Sequence, residues 1–182
     1  MIKCLIDLED GQEADHDHLR YSIINSGLCL VANCAKNAVR YKSCMGKHAY
    51  TVQTVVELVK RRQERFDIII NDGQEVFKDM DTQFMLVYNG KYGGGRMILN
   101  PMAILNDGFF EMIFYKNLIG FKKSIKLFEG AKKGGTHIYD ANGIVYRISK
   151  LRLENKSPHK QDLNIDGEDL TFEKFVQYEC LK

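Results

Sequence analysis

Very little in this chain breaks a backbone or crosslinks one. Its 182 residues contain two prolines and no tryptophan. With so little proline, and no stretch rich in Ser, Gly and Pro, no interdomain linker is legible, and the sequence predicts one domain over residues 1–182. A chain of this length can bury a real core. Five cysteines (Cys4, Cys29, Cys34, Cys44, Cys180) are odd in number, sparsely spread and free of any C-x-x-C pair. That argues against a disulfide framework and a zinc site. It suits an intracellular, reducing compartment, the cytosol or an organelle such as the mitochondrion. No apolar run approaches the ~18 residues of a membrane-spanning helix. The opening MIKCLIDLEDGQEADHDH is too acidic for a signal or transit peptide. A net charge of +2 is too small to argue for a nucleic-acid partner.

What is present reads as strands punctuated by two helices. Ile2 to Glu9 is expected to form a short helix, followed by a polar stretch to His18. Arg20 to Ala32 is rich in Ile, Leu, Val and Cys and reads as a buried strand bent at Gly27. Ala35 to Lys42 fits a short helix. In Tyr50 to Arg62, the 3–4 spacing of Val52, Val55, Val56 and Val59 predicts an amphipathic helix with a basic end, Lys60-Arg61-Arg62. Phe66 to Asn71 and Glu75 to Phe77 flank Asp72-Gly73 as a hairpin. Phe84 to Tyr88 and Phe109 to Tyr115 read as strands. Leu118 to Lys132 sets Phe121, Ile125 and Phe128 on one face and lysines on the other, a second helix stopped by Gly134-Gly135. Ile144 to Glu154 alternates imperfectly, and Asp162 to Ile165 and Leu170 to Cys180 flank another Asp-Gly turn. The fold class is α+β, with sheet packed on sheet.

Residues 89–108, NGKYGGGRMILNPMAILNDG, are the most informative stretch. Gly93, Gly94 and Gly95 follow an apolar strand, and Asn106-Asp107-Gly108 opens the next one. A phosphate-binding loop needs a lysine and a hydroxyl after its glycines and then a helix. Here Arg96, Met97 and Ile98 follow, then Asn100-Pro101, with no helix start. The stretch resembles instead a segment in the C-terminal domain of the diacylglycerol, sphingosine and ceramide kinase superfamily, in which an Asn-Gly, a triple glycine, a Pro-x-Ala and an Asp-Gly follow one another in that order. Asn89, Gly90, Gly93, Gly94, Gly95, Pro101, Ala103, Asp107 and Gly108 fall on it. Residues 46–73 are similar to that family's helix, strand and Asp-Gly turn, and Asp166-Gly167-Glu168 to its strand-borne Asp-Gly-Glu. The resemblance covers about residues 14–182. It implies a β-sandwich-like domain with two amphipathic helices.

The resemblance also implies what is missing. Family enzymes bind ATP on an N-terminal domain through a Gly-Gly-Asp-Gly-Thr loop, and no such string occurs in this sequence. The expectation is a non-catalytic, pseudoenzyme-like domain serving as an accessory or structural subunit among other protein chains. The rival is the lipid-binding half of a split kinase, with ATP and Mg supplied only by a partner chain. Lipid is a further implied ligand. The resemblance assigns substrate-binding roles to Asn33, Asp166 and Glu168. Asn33 stands where sphingosine-type enzymes carry a head-group aspartate. An amide cannot pair with an ammonium or act as a base, which disfavours a sphingoid substrate. Asp166-Gly167-Glu168 reads either as a plain hairpin turn or as the remnant of an active-site turn. Gly93, Gly94, Gly95, Asp107 and Gly108 read as structural turn residues, and Asp107 as no metal ligand. His16 and His18, between Asp15 and Asp17, read as a solvated loop rather than a metal site. Neither catalytic residue nor resident cofactor is expected. The lysines of residues 122–133 read as a solvated face, or as one that meets anionic lipid or an acidic chain. Ile2, Leu5, Ile6 and Leu8, with residues 166–170, are expected to be covered by another protein.

Overall fold

The computed structural model of the chain describes all residues except 9–11, 14, 16, 47, 94–96, 117 and 182. Gly94, Gly95 and His16 therefore lie outside the described residues. In chain order the elements are β1 (Ile2–Ile6), β2 (Leu19–Ser22), β3 (Asn25–Cys29), α1 (Leu30–Ala38), α2 (Lys42–Met45), α3 (His48–Lys60), β4 (Glu64–Ile70), β5 (Glu75–Tyr88), β6 (Tyr92–Gly93), β7 (Met97–Ile98), β8 (Phe110–Lys116), α4 (Phe121–Lys132), β9 (Gly143–Ile148), β10 (Lys150–Asn155), β11 (Gln161–Ile165), β12 (Glu168–Phe172) and β13 (Phe175–Cys180). The domain is an α+β, β-sandwich-like fold. No helix among the described residues is long and apolar enough to cross a membrane.

Apart from the small β6–β7 ribbon, the strands form one antiparallel sheet in the order β12-β11-β3-β5-β4-β10-β13-β1-β2, with β8 on β5 and β9 on β8. The sheet folds over on itself. Phe66 of β4 meets Phe172 of β12 at 6.3 Å between ring centroids, and Phe110 of β8 meets Tyr178 of β13 at 6.4 Å. Ser26 Oγ and the Tyr178 hydroxyl lie 2.8 Å apart. None of these pairs is on neighbouring strands, so the contacts cross a core. Alternate residues of β5 and β8 enter that core: Met85, Val87, Phe110, Met112 and Phe114. Their neighbours Leu86, Tyr88, Ile113 and Tyr115 point the other way into a second, smaller core under α4. Both faces of β8 are thus buried, which is why Met112 to Tyr115 is a continuous apolar run rather than an alternating one.

Two expectations are corrected. Ile2 to Glu9 is not a helix. Its first part is β1, paired with β13 on one side and β2 on the other. Ile2, Cys4 and Ile6 are buried at period 2, and a short apolar run fits either period until a neighbour chooses. Those apolar residues are covered by the chain's own sheet, not left for a partner. Arg20 to Ala32 is not one strand either. It breaks between β2 and β3 and ends at Cys29, whose φ of 56° turns the chain straight into α1.

The turns are held by side chains reaching far along the sequence. Asp166, with φ 48°, accepts hydrogen bonds from the backbone N–H of Ile23, Ile24 and Asn25 at 2.6, 3.1 and 2.8 Å, and from the Ser22 hydroxyl. Asp7 does the same for Glu173, Lys174 and Phe175 at 2.7–2.8 Å. Glycines matter most where chains touch. A Cβ on Gly93 would collide with the Tyr88 hydroxyl, and one on Gly135, at φ 77°, would press on Ile98 and Pro101.

Candidate functional site: a cleft between sheet and helices

The second core is incompletely filled. Between β5 and β8 below and α1, α3 and α4 above runs a narrow cleft with a cavity volume of about 80 Å³, below the roughly 300–1,000 Å³ of ordinary small-molecule sites. Its walls are almost wholly apolar: Leu30 of α1, Leu58 of α3, Phe84 of β5, Ile119, and Leu127 and Phe128 of α4. Its polar exceptions are what make it a candidate site.

Gln83 is the first. It sits on β5 where that strand changes neighbours, since Thr82 still pairs with Glu64 of β4 while Phe84 pairs with Cys29 of β3. It is 2 % exposed, and neither its side-chain oxygen nor its nitrogen has a hydrogen-bond partner. An unsatisfied buried polar group costs on the order of 1–3 kcal/mol. A satisfied amide would be ordinary, whereas one with both ends free beside an empty apolar cleft invites a ligand. His137 is the second, on a turn of 3₁₀ helix, Thr136–Tyr139, after α4. Its Nε2 lies 3.1 Å from the Leu99 carbonyl. That carbonyl can only accept, so Nε2 carries the proton. Burial lowers the imidazole pKa despite this bond, keeping the ring neutral. Nδ1 is then a buried acceptor with no donor. The Tyr115 hydroxyl donates to the His137 carbonyl at 2.8 Å and fixes the turn.

Gln83 also lines a smaller polar recess, with Cys29, Asn33, Glu57, Arg62 and Glu64. Here Asn33, on α1, is buried. Glu57 accepts from Gln53 at 2.8 Å and Lys60 at 2.6 Å. Glu64 accepts from Gln161 and Ser157 at 3.0 and 3.1 Å. Burial, with the charge of Glu64 second, holds the Cys29 thiol well above its ordinary range, so it is no thiolate nucleophile. Gln83 stands between the apolar slot and this recess, which is closed and leaves no room for a water-sized group.

Of the site residues assigned from the sequence, Asn33 lies in this region, whereas Asp166, Glu168, Gly93, Asp107 and Gly108 do not line it. Asp166 and Glu168 belong to the exposed β11–β12 turn. The Asp166 carboxylate is fully engaged with β2–β3, as described above. Asp107 accepts from the Phe109 N–H at 2.8 Å and pairs with Arg147. Gly108, at φ 83°, completes that turn. Nearby, Asn100 donates to the buried Glu111 at 2.6 Å. The segment around Asn100 to Gly108 is thus a latch between loop and sheet. No group of His, Cys, Asp and Glu among the described residues is arranged to hold a metal ion. Gln83 and the cleft role of His137 were missed. The one signal for Gln83 is a polar residue heading the apolar run Phe84 to Tyr88, which in sequence looks like the start of a strand.

The family described as YegS C-terminal NAD kinase beta sandwich-like domain matches residues 22–175. The Pectobacterium atrosepticum protein named "Probable lipid kinase YegS-like" is 25 % identical over 137 residues, covering 75 % of this chain and 42 % of that protein. Two solved structures of diacylglycerol kinase homologues from Bacillus anthracis str. Sterne share the fold, with TM-scores of 0.64 and 0.62 at 16 % identity. They cover 97 % and 98 % of this chain and 52 % of each homologue. The chain spans about half the length of the relatives it matches, and the match is to their C-terminal domain.

Proposed function

The chain belongs to the family of YegS C-terminal NAD kinase beta sandwich-like domains, and from that footing we propose that it is a non-catalytic lipid-kinase-like domain. It serves as an accessory part of a larger protein assembly, and its cleft holds the apolar portion of a lipid. The observation that carries the lipid reading is Gln83, an amide with both ends free beside the empty apolar slot. A lipid hydroxyl or ester there would satisfy it while its chain fills the slot. Chemistry supports the non-catalytic part. Phosphoryl transfer needs clustered N–H groups around the phosphates and a carboxylate positioned by the nucleophile. Among the described residues Gly93 is the last of β6 and β7 lies at Met97–Ile98, Asp166 is engaged by three N–H groups, and Asn33 is an amide.

A second reading is the lipid-side half of a split kinase, with ATP and Mg held by another chain. The cleft itself favours it, because a purely structural subunit has no use for an empty slot with unpartnered polar groups. Under either reading Asn33 suits a neutral head better than an ammonium.

The test uses delipidated protein and an NBD-labelled monoacylglycerol. Wild type should bind, and Gln83→Met should weaken binding about tenfold, since one hydrogen bond of this kind contributes roughly 1.4 kcal/mol. Without ligand, the same substitution should raise the melting temperature by a few degrees, because a thioether replaces an unsatisfied amide. Equal binding by both proteins refutes the lipid site. Calorimetry with Mg-ATP should give no heat, and micromolar binding refutes the non-catalytic reading. Lipid phosphorylation that appears only when a second, co-purifying chain is added selects the split kinase.

A further inference from the structure

Helix α4 begins in a way that helices avoid. Lys122 and Lys123 stand in its first turn, where the backbone dipole is positive, and no acidic residue offsets them there. Gly120, its N-cap, offers no side-chain acceptor to the free N–H groups. Lys126 follows Lys122 by four residues on the same flank, a like-charge pair that opposes the helix. The one acidic residue of α4, Glu129, lies toward its other end. Lys123 is compensated, since its ammonium lies 2.8 Å from the Asp140 carboxylate and 2.9 Å from Asn142 Oδ1. Among the described residues no ion pair compensates Lys122 or Lys126.

The three lysines line a recess on the flank of α4 that faces away from the cleft. Thr136, Tyr139 and Asp140 form its other wall, and its cavity volume is about 610 Å³, within the size range of small-molecule sites. Helix α4 is the partition between the two spaces. Ser124, Phe128 and Ala131 line the cleft, the lysines line the recess, and Leu127 and His137 line both. The far wall is fixed in place. Gly134 and Gly135, at φ 96° and 77°, reverse the chain after α4, and the Tyr115 hydroxyl holds the His137 carbonyl. On that wall Tyr139 is 77 % exposed, a phenol ring that nothing in the fold covers.

We propose that this recess binds the phosphate monoester of a small, water-soluble, hydroxyl-bearing compound such as a sugar. Two uncompensated ammonium groups one helical turn apart match the charge of about −1.5 to −2 that a phosphate monoester carries at pH 7. The positive end of the α4 dipole adds to the same attraction. Bound between them, the phosphate turns the repulsion of Lys122 and Lys126 into two attractions. The Asp140 carboxylate accepts hydrogen bonds from hydroxyls, and the Thr136 hydroxyl donates or accepts. The Tyr139 ring covers the apolar face of a sugar. A bare inorganic anion has nothing to offer Asp140, and a row of carboxylates on an acidic peptide is longer than a pair of lysines one turn apart. The site is separate from the cleft and does not rest on the cleft's holding a lipid.

Isothermal titration of the full chain with glucose 6-phosphate tests it, with glucose and sulfate as controls. Glucose 6-phosphate should bind, less tightly as salt is added, and both controls should bind at least about tenfold more weakly. Lys122→Gln with Lys126→Gln should weaken glucose 6-phosphate at least about tenfold. Both residues are at the surface and repel each other, so an undiminished melting temperature verifies folding. Lys174→Gln, on the exposed β12–β13 turn, should bind as wild type. No binding, equal binding of sulfate, or unchanged binding by the double variant overturns the proposal. So does about tenfold tighter binding of dihexanoyl phosphatidate, which would make the ligand a lipid head group, or of an Asp-Glu peptide, which would make it a protein. Gln83→Met separates this from the cleft, since it should lose the fluorescent lipid and keep glucose 6-phosphate.

Discussion

The sandwich and the helical layer obey different rules. In the sandwich, apolar residues at strand spacing are buried, turn carboxylates are engaged by backbone N–H groups, and charge is net acidic. In the helical layer, apolar residues at helical spacing face outward, the charge is basic, and the cleft beneath holds Gln83 with no partner. The first region satisfies its groups internally. The second leaves apolar and polar groups unsatisfied in one place, which is the expected character of a surface and a slot built to meet something else. On the proposed function, stability and binding are separated in space, and the contrast can be tested by substitutions in each region.

The largest effect should come from the sandwich core. Phe110→Ala removes a fully buried ring packed near Tyr178 and should cost about 3–5 kcal/mol in urea unfolding. Val59→Ala on the outer face of α3 should cost no more than about 0.5 kcal/mol. Comparable losses would mean that the α3 stripe belongs to the folded core after all, and the contrast would collapse.

A smaller loss should follow from Asp166→Ala. The N–H groups of Ile23, Ile24 and Asn25 would exchange a carboxylate for water, at a cost of about 1–2 kcal/mol by analogy with lost helix caps. Because the turn is exposed, lipid binding in the cleft should be unaffected. A variant of normal stability that lost lipid would restore a binding role to this turn.

The smallest effect is a pH dependence seated in the cleft. Burial lowers the His137 pKa below its ordinary 6.5, so the unfolded chain takes up the proton more readily than the folded one. The neutral ring's contribution is fully present above pH 6.5 and is lost as pH falls from there through the folded value. Chemical denaturation at stepped pH should show wild type weakening over that range, and His137→Gln weakening less. Glu111 in the latch has its pKa raised, chiefly by burial, and gains stability on protonation. The difference between the two proteins, rather than either curve, therefore reads the histidine. Identical curves would mean that the ring is not desolvated.

Much of the sandwich was legible in the sequence because strand signals are local. The Asp-Gly turns at 72–73 and 166–167 sit between paired strands as read, and Phe109 to Tyr115 is β8 within a residue at its start. Helix positions were legible too, Tyr50 to Arg62 as α3 and Leu118 to Lys132 as α4. What the helix pattern left open was which face is covered: the stripe Val52 to Val59 is exposed. Residues 2–6, expected as part of a helix, form β1, because a short apolar run takes its period from its neighbours. The site was less legible still. Asn33 was given a substrate-binding role through a family resemblance and lies in the recess beside the cleft, whereas Gln83 carries only the weak mark of a polar residue heading an apolar run.

By itself the sequence determined the types of α3, α4, β4 and β8, the Asp-Gly turns and the glycine-rich segment that resembles the family. Those depend on the periodicity and backbone freedom of a few consecutive residues. The tertiary structure alone decided which side of α3 is covered, that Gln83 falls where β5 changes partners, and that Asp166 holds backbone 143 residues away. A residue's spacing fixes the direction of its side chain relative to its own helix or strand. What fills the space in that direction is set by segments distant in the chain, and it is that neighbour, or its absence, that separates core from binding surface.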